Sequence, residues 1–185
     1  MKLVPILLLC FLSNGAWAVD LPEFILTRHK LPLIQYLKKH PYFHVGSDTL
    51  CLCDDDLLWF RKLEPDFHPY YAVGDINDDG IEDFAVGLLD SRGDQDRQNS
   101  LNVVVFHGPF SRSRKPRGIT VIRDYPLVRE QEVLSVFKTR IENGHRYGAR
   151  LDLGAGPFGS DDVWVIRYDW KSKKYGVRHF YSATK

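Results

Sequence analysis

The sequence predicts an α+β fold, with short helices first and a mostly antiparallel sheet of about six or seven strands afterwards, and three observations carry that expectation. Apolar residues within 21–40 recur at helical spacing, at Leu33, Ile34 and Leu37. Beyond Pro69 the pattern changes to short apolar runs at 70–73, 84–89, 101–106, 119–122, 133–137, 163–168 and 175–181. The connections between those runs are polar or glycine-rich and too short for the crossover helices that parallel pairing requires.

The chain has 185 residues, 44% hydrophobic and 26% charged, which excludes a disordered or collagen-like class. Its first stretch, MKLVPILLLCFLSNGAWA, has one basic residue, an apolar run at 3–12 and an Ala16-Trp17-Ala18 ending. That is the pattern of a signal peptide over 1–18, cleaved after Ala18, and the run is too short to span a bilayer. Residues 19–185 then form one α+β domain, periplasmic or secreted, with no membrane insertion after cleavage. A lipid anchor on Cys10 is disfavoured, because Leu9 stands where a small residue is wanted.

Cleavage removes Lys2, the one charge in that stretch, and leaves acidic and basic groups in balance. Such a balance argues against nucleic-acid binding, which calls for a strong positive field. Two cysteines remain, Cys51 and Cys53, spaced so that an extended backbone puts both on one face at the upper limit for a disulfide. Buried thiols or a local staple are favoured over a redox pair, and two cysteines are only half of a structural zinc set.

Along the mature chain, 21–40 reads as one or two short helices ending at Pro41, with Pro22 and Pro32 as first-turn residues. Asp54, Asp55 and Asp56 precede LLWFRKL and read as a helix cap rather than a metal cluster. The loops SRGDQDRQNS, GPFSRSRKPRG, ENGHRYG and GAGPFGSDD separate the strands, and WKSKK joins the last two as a hairpin.

One motif carries chemistry. Gly74-Asp75-Ile76-Asn77-Asp78-Asp79-Gly80-Ile81-Glu82-Asp83 matches D-x-[DN]-x-D-G-x-x-D between two apolar runs. Calcium wants six to eight hard oxygens on a backbone that wraps around it. Asp75, Asn77 and Asp79 supply alternate donors, Gly80 allows the turn that brings in the carbonyl of Ile81, and Asp83 completes the set. Asp78 and Glu82 point away under this register. Val86 stands where an EF-hand needs its bidentate glutamate, so an EF-hand is excluded.

The strand YYAVG, the loop DINDDGIED and the strand FAVGLL together resemble the calcium loop of integrin alpha-chain propeller repeats of the FG-GAP type. That resemblance implies calcium bound through Asp75, Asn77, Asp79, the Ile81 carbonyl and Asp83, with the ion fixing a hairpin. It covers residues 70–89 only. A propeller needs at least four blades and this chain has one such loop, so it is not a propeller. The chain is more similar to small secreted bacterial proteins with a single such hairpin in an α+β domain, which implies a calcium-stapled extracytoplasmic protein.

The remaining signals are weaker. Arg92-Gly93-Asp94 reads as a chance tripeptide, and Arg112, Arg114, Lys115 and Arg117 as a solvated basic loop. The histidines show no metal-ligand spacing, no serine sits in a G-x-S-x-G elbow, and Gly154 to Gly159 reads as a flexible loop rather than a dinucleotide fingerprint. The sequence therefore points to a non-enzymatic protein-interaction module, an inhibitor, immunity-type factor or envelope accessory protein with an unknown protein partner. The alternative is a small cell-envelope hydrolase acting on a cell-wall or glycan substrate, and a third reading is a sensor of small ligands or metal.

Overall fold

The structure is a computed structural model, and it describes residues 19–48, 57, 58, 61, 62, 65–92, 100–110, 118–126, 134–139, 152–157, 163–169 and 171–180. Helix α1 spans Thr27–Leu37. It is followed by β1 (Phe43–Val45), β2 (Tyr71–Gly74), β3 (Asp83–Asp90), β4 (Ser100–Phe106), β5 (Gly118–Pro126), β6 (Leu134–Thr139), β7 (Asp152–Pro157), β8 (Val163–Asp169) and β9 (Lys174–Phe180). All pairings among the described strands are antiparallel, as expected for an α+β chain with short connections. The described strands form two sheets rather than the one expected. The first runs β1-β3-β4-β5 with β2 also on β3, and the second runs β6-β7-β8-β9.

Strand β3 organises the molecule and is buried at all eight positions. One of its edges pairs with β4 from Phe84 to Asp90. The other edge is shared end to end, with β2 opposite Asp83 to Val86 and β1 opposite Leu88 to Asp90. At the seam Gly87 donates its N–H to the Tyr70 carbonyl at 2.9 Å, and Gly46 donates to the Gly87 carbonyl at 3.3 Å.

Alternation along β3 and β4 sends side chains into two cores. Phe84, Val86, Leu88, Val104 and Phe106 face α1, where they meet Ile25, Leu33 and Leu37, with Val19, Leu21 and Phe24 packed at the margin. Ala85, Leu89, Leu101, Val103 and Val105 face the second sheet and meet Ile166, with Tyr175 and Val177 beside them. The order is therefore helix, sheet, sheet. A strand covered on both sides reads as a continuous apolar run, which is what FAVGLL does.

Several expectations need correction. Helix α1 begins at Thr27, so Pro32 is inside it rather than in its first turn. A mid-helix proline forfeits one backbone hydrogen bond. Pro32 and Leu33 are both buried under the helix, and this burial offsets the loss. Residues 154–157, read as part of a flexible loop, belong to β7 and pair with β6. The short strand β1 was not anticipated, because its three residues carry no period. The β8–β9 hairpin closes where expected, with Asp169 opposite Lys174.

Leu57, Leu58, Arg61 and Lys62 have helical backbone, as read for LLWFRKL. Residues 1–18, Cys51, Cys53, Asp54 to Asp56, Asp94, the basic loop at 111–117 and residues 142–148 lie outside the described residues. No described helix is long and apolar enough to cross a membrane.

Candidate metal centre

Strands β2 and β3 form a hairpin that closes at the pair Gly74 and Asp83. The eight residues between them form the D-x-N-x-D-G loop, and two of these take left-handed backbone, Asp78 at φ 60° and Gly80 at φ 79°. Aspartate is among the few L residues that tolerate that region, and glycine enters it freely. The two left-handed residues fold the chain back on itself around Asp79.

Each candidate side chain then binds backbone N–H groups of the loop. The Asp75 carboxylate accepts from Asp79 N–H at 2.9 Å and from Gly80 N–H at 2.8 Å. Asn77 Oδ1 accepts from Asp79 N–H at 3.1 Å, and its amide Nδ2 donates to Asp79 Oδ2 at 3.0 Å. Asp79 Oδ1 accepts from Ile81 N–H at 2.8 Å, while the Ile81 side chain stays exposed.

Asp83 is fully buried and closes the loop from inside. One of its oxygens accepts from Ile76 and Asn77 N–H, both at 3.1 Å, and the other accepts from Gly108 N–H at 3.0 Å. Charge-assisted bonds of this kind compensate much of the cost of burying a carboxylate.

The donor chemistry fits a hard cation. Asp75, Asn77, Asp79 and Asp83 put oxygens on one short loop, and a carboxylate that accepts two N–H bonds still has lone pairs to offer. Among the described residues, no three His, Cys, Asp or Glu side chains converge on a single point. In this arrangement the carboxylates are turned to the loop's own N–H groups.

Two histidines that spacing rules miss hold this loop in the fold. Glu82, expected only to add to the local field, instead clamps α1. Arg28 donates to it through Nε at 2.5 Å and Nη2 at 2.7 Å. That contact holds the Glu82 carboxyl below its ordinary range. His29, fully buried, places Nε2 at 3.1 Å from Glu82 Oε1 and Nδ1 at 2.5 Å from Tyr71 Oη.

A carboxylate only accepts, so His29 Nε2 carries the hydrogen and Nδ1 accepts from the Tyr71 hydroxyl. That hydroxyl in turn accepts the N–H of Leu26 at 3.3 Å, which satisfies a donor at the helix start. Burial, the dominant cause, depresses the His29 imidazole to about 4 and raises the Tyr71 hydroxyl to about 12.

His107 lies on the opposite side of the loop. Its Nδ1 is 3.0 Å from Asn77 Nδ2 and 3.1 Å from Asp83 Oδ2, and its Nε2 is 3.1 Å from Tyr175 Oη in β9. Burial, followed by the charge of Asp83, pushes the Tyr175 hydroxyl well above its ordinary value. The loop is thus tied to the helix through Glu82 and to the second sheet through His107.

Two further polar groups lie elsewhere. Arg92 of the Arg-Gly-Asp tripeptide is bound by Asp90 at 2.5 Å and lies 3.5 Å above the Tyr42 ring, so its guanidinium is engaged. Asp48 accepts from His68 Nδ1 at 2.9 Å and from Arg61, with Phe24 stacked on the imidazole at 4.2 Å. No protein-family model, curated protein or solved structure matches this chain, so no relative lends it a family or an activity.

Proposed function

We propose that this chain is an exported α+β domain whose β2–β3 loop takes one calcium ion through Asp75, Asn77, Asp79, the Ile81 carbonyl and Asp83, and that it acts as a protein-interaction module. The observation that supports the calcium reading is the loop backbone, in which left-handed Asp78 and Gly80 flank Asp79 in a turn that carries Asp75, Asn77, Asp79 and Asp83 on one short stretch. A bound calcium ion would supply the charge that three neighbouring carboxylates lack.

The interaction reading is supported by the sequence, which pairs an export signal and a calcium-type loop with no catalytic motif. His29, Arg28, Glu82, His107 and Asp83 hold elements together. The partner class is a protein bound by an inhibitor, immunity-type factor or envelope accessory protein.

The test is a calorimetric titration of residues 19–185 with calcium, with magnesium as control, followed by affinity capture under calcium and chelator washes. Saturable one-to-one calcium heat and a stoichiometric protein retained in calcium are expected. No calcium heat up to millimolar concentrations overturns the metal reading, and no retained protein overturns the interaction reading.

One observation favours the alternative, a small cell-envelope hydrolase. Asp48 orients His68 through Nδ1, and Nε2 has no hydrogen-bond partner among the described residues, as a general base requires. Hydrolysis of cell-wall or glycan substrates that disappears in His68→Ala would establish that reading.

A further inference from the structure

We propose that His107 is a positioning residue for the β2–β3 loop and that, through Tyr175, it links filling of the loop to the seating of the second sheet; the proposal rests on the calcium reading above.

An imidazole nitrogen serves one role at a time. Nδ1 lies 3.1 Å from Asp83 Oδ2, where only a donor is useful, and 3.0 Å from the Asn77 amide nitrogen, where only an acceptor is useful. These are two alternative arrangements of the same ring. Which one holds is set at the far nitrogen, where Tyr175 Oη at 3.1 Å can either donate or accept.

If Tyr175 donates to Nε2, Nδ1 carries a hydrogen and donates it to Asp83. One oxygen of a loop carboxylate is then further occupied, and the Asn77 amide nitrogen faces a second donor. If Nε2 carries the hydrogen, it donates to Tyr175 and Nδ1 accepts from Asn77. That bond fixes the Asn77 nitrogen, which also donates to Asp79 Oδ2 at 3.0 Å, and so keeps its Oδ1 where it meets Asp79 N–H at 3.1 Å.

The second arrangement presents both Asn77 Oδ1 and Asp83 to a cation, but it leaves a lone pair facing the Asp83 carboxylate. Positive charge in the loop removes that repulsion. Filling the loop and the direction of the His107–Tyr175 bond therefore favour each other, and the coupling is reciprocal.

The mechanical side of the link is equally direct. The rings of His107 and Tyr175 are parallel, 8° apart with centroids at 5.8 Å, and Tyr168 of β8 meets the imidazole edge-on at 5.7 Å. His107 follows β4 immediately, and Gly108 donates its N–H to Asp83 at 3.0 Å. Asp83, His107 and the β8–β9 hairpin are thus joined by direct contacts.

The test compares wild type, His107→Phe and Tyr175→Phe in residues 19–185. Phenylalanine at 107 retains a ring between Tyr168 and Tyr175 and lacks both nitrogens, and Tyr175→Phe removes one oxygen. Calcium affinity is measured by calorimetry, melting temperature is measured in chelator, and amide hydrogen exchange of β8 and β9 is measured with and without calcium.

The expected result is a calcium affinity weakened about 10- to 100-fold in His107→Phe, the range for loss of an outer partner of metal ligands, with a smaller weakening in Tyr175→Phe. Calcium should slow exchange in β9 of wild type and not of His107→Phe, and the melting temperature of the variant should fall by more in calcium than in chelator. Variants that bind calcium as wild type does, or that lose stability equally with and without calcium, overturn the inference alone. A wild type that binds no calcium overturns the calcium reading, and the inference with it. If His107→Phe does not fold, Tyr175→Phe decides by the same criteria.

Discussion

Glu82 accepts the Nε2–H of His29 at 3.1 Å, and this one bond ties the end of the metal-type loop to the first turn of a helix 53 residues earlier in the chain. The acceptor also fixes the imidazole's tautomer and hence the direction of the Tyr71 hydroxyl. His29 stacks on Phe84 at 4.3 Å and meets Phe110 edge-on at 4.7 Å, so its faces are apolar and its two nitrogens are its polar contacts. The arrangement suits a neutral ring.

Stability should therefore fall with acid in a window set by His29. Its imidazole lies near 4 in the folded chain against 6.5 when exposed, so between those values the unfolded chain binds the extra proton. Stability is complete above pH about 6.5 and is lost progressively toward about 4, by at most about 3 kcal/mol. His44, also depressed by burial, acts in the same direction. Glu82 and Asp90, held low by Arg28 and Arg92, lose their contributions only at still lower pH. Denaturant titrations at several pH values would show this slope, and His29→Phe should flatten it.

Asp79→Ala should separate a metal ligand from a turn cap. Ligand binding adds stability by mass action, about 2.7 kcal/mol at a hundredfold excess over the dissociation constant. Melting temperature should fall in millimolar calcium and change little in chelator. Equal losses in both conditions would mean that Asp79 serves only as the acceptor of the Ile81 N–H and the Asn77 amide.

Two loop glycines should respond differently to alanine. At Gly80 a Cβ meets nothing within 4 Å, but φ of 79° costs an L residue roughly 1–2 kcal/mol. At Gly108 a Cβ would overlap the Glu82 carbonyl and the Ile81 side chain. Because the first of these is backbone, the loop must shift, and Gly108→Ala should weaken calcium binding more than Gly80→Ala does. Calorimetry on both variants checks the order.

Phe84→Ala should be among the most damaging core changes. The ring is fully buried, stacks on Phe106 at 4.5 Å and also supports His29. Truncating a buried phenylalanine costs about 3–5 kcal/mol. Loss of the ring should also loosen the His29–Glu82 contact, so the acid-dependent slope should shrink along with the midpoint in urea.

The sequence by itself determined the fold class, most strand positions, the β8–β9 hairpin and the location of the D-x-N-x-D-G loop. These follow from period, turn chemistry and the backbone freedom of Gly80, all of which are local. FAVGLL was legible as a strand from its apolar run, and its burial on both faces came from the packing of the helix and the second sheet. Only the tertiary structure decided that the strands divide into two sheets, that β1 and β2 share one edge of β3, and that Pro32 lies inside a helix whose burial offsets its missing bond.

The same division runs through the candidate site. Asp75, Asn77, Asp79, Ile81 and Asp83 are legible because they are neighbours in the chain. His29 and His107 are not, since each reaches the loop across tens of residues and no spacing rule links them to it. Glu82 looked idle by register and turned out to hold the helix. A motif records which donors a loop carries, whereas the partners that orient those donors come from other strands and helices, and only packing brings them within hydrogen-bond distance.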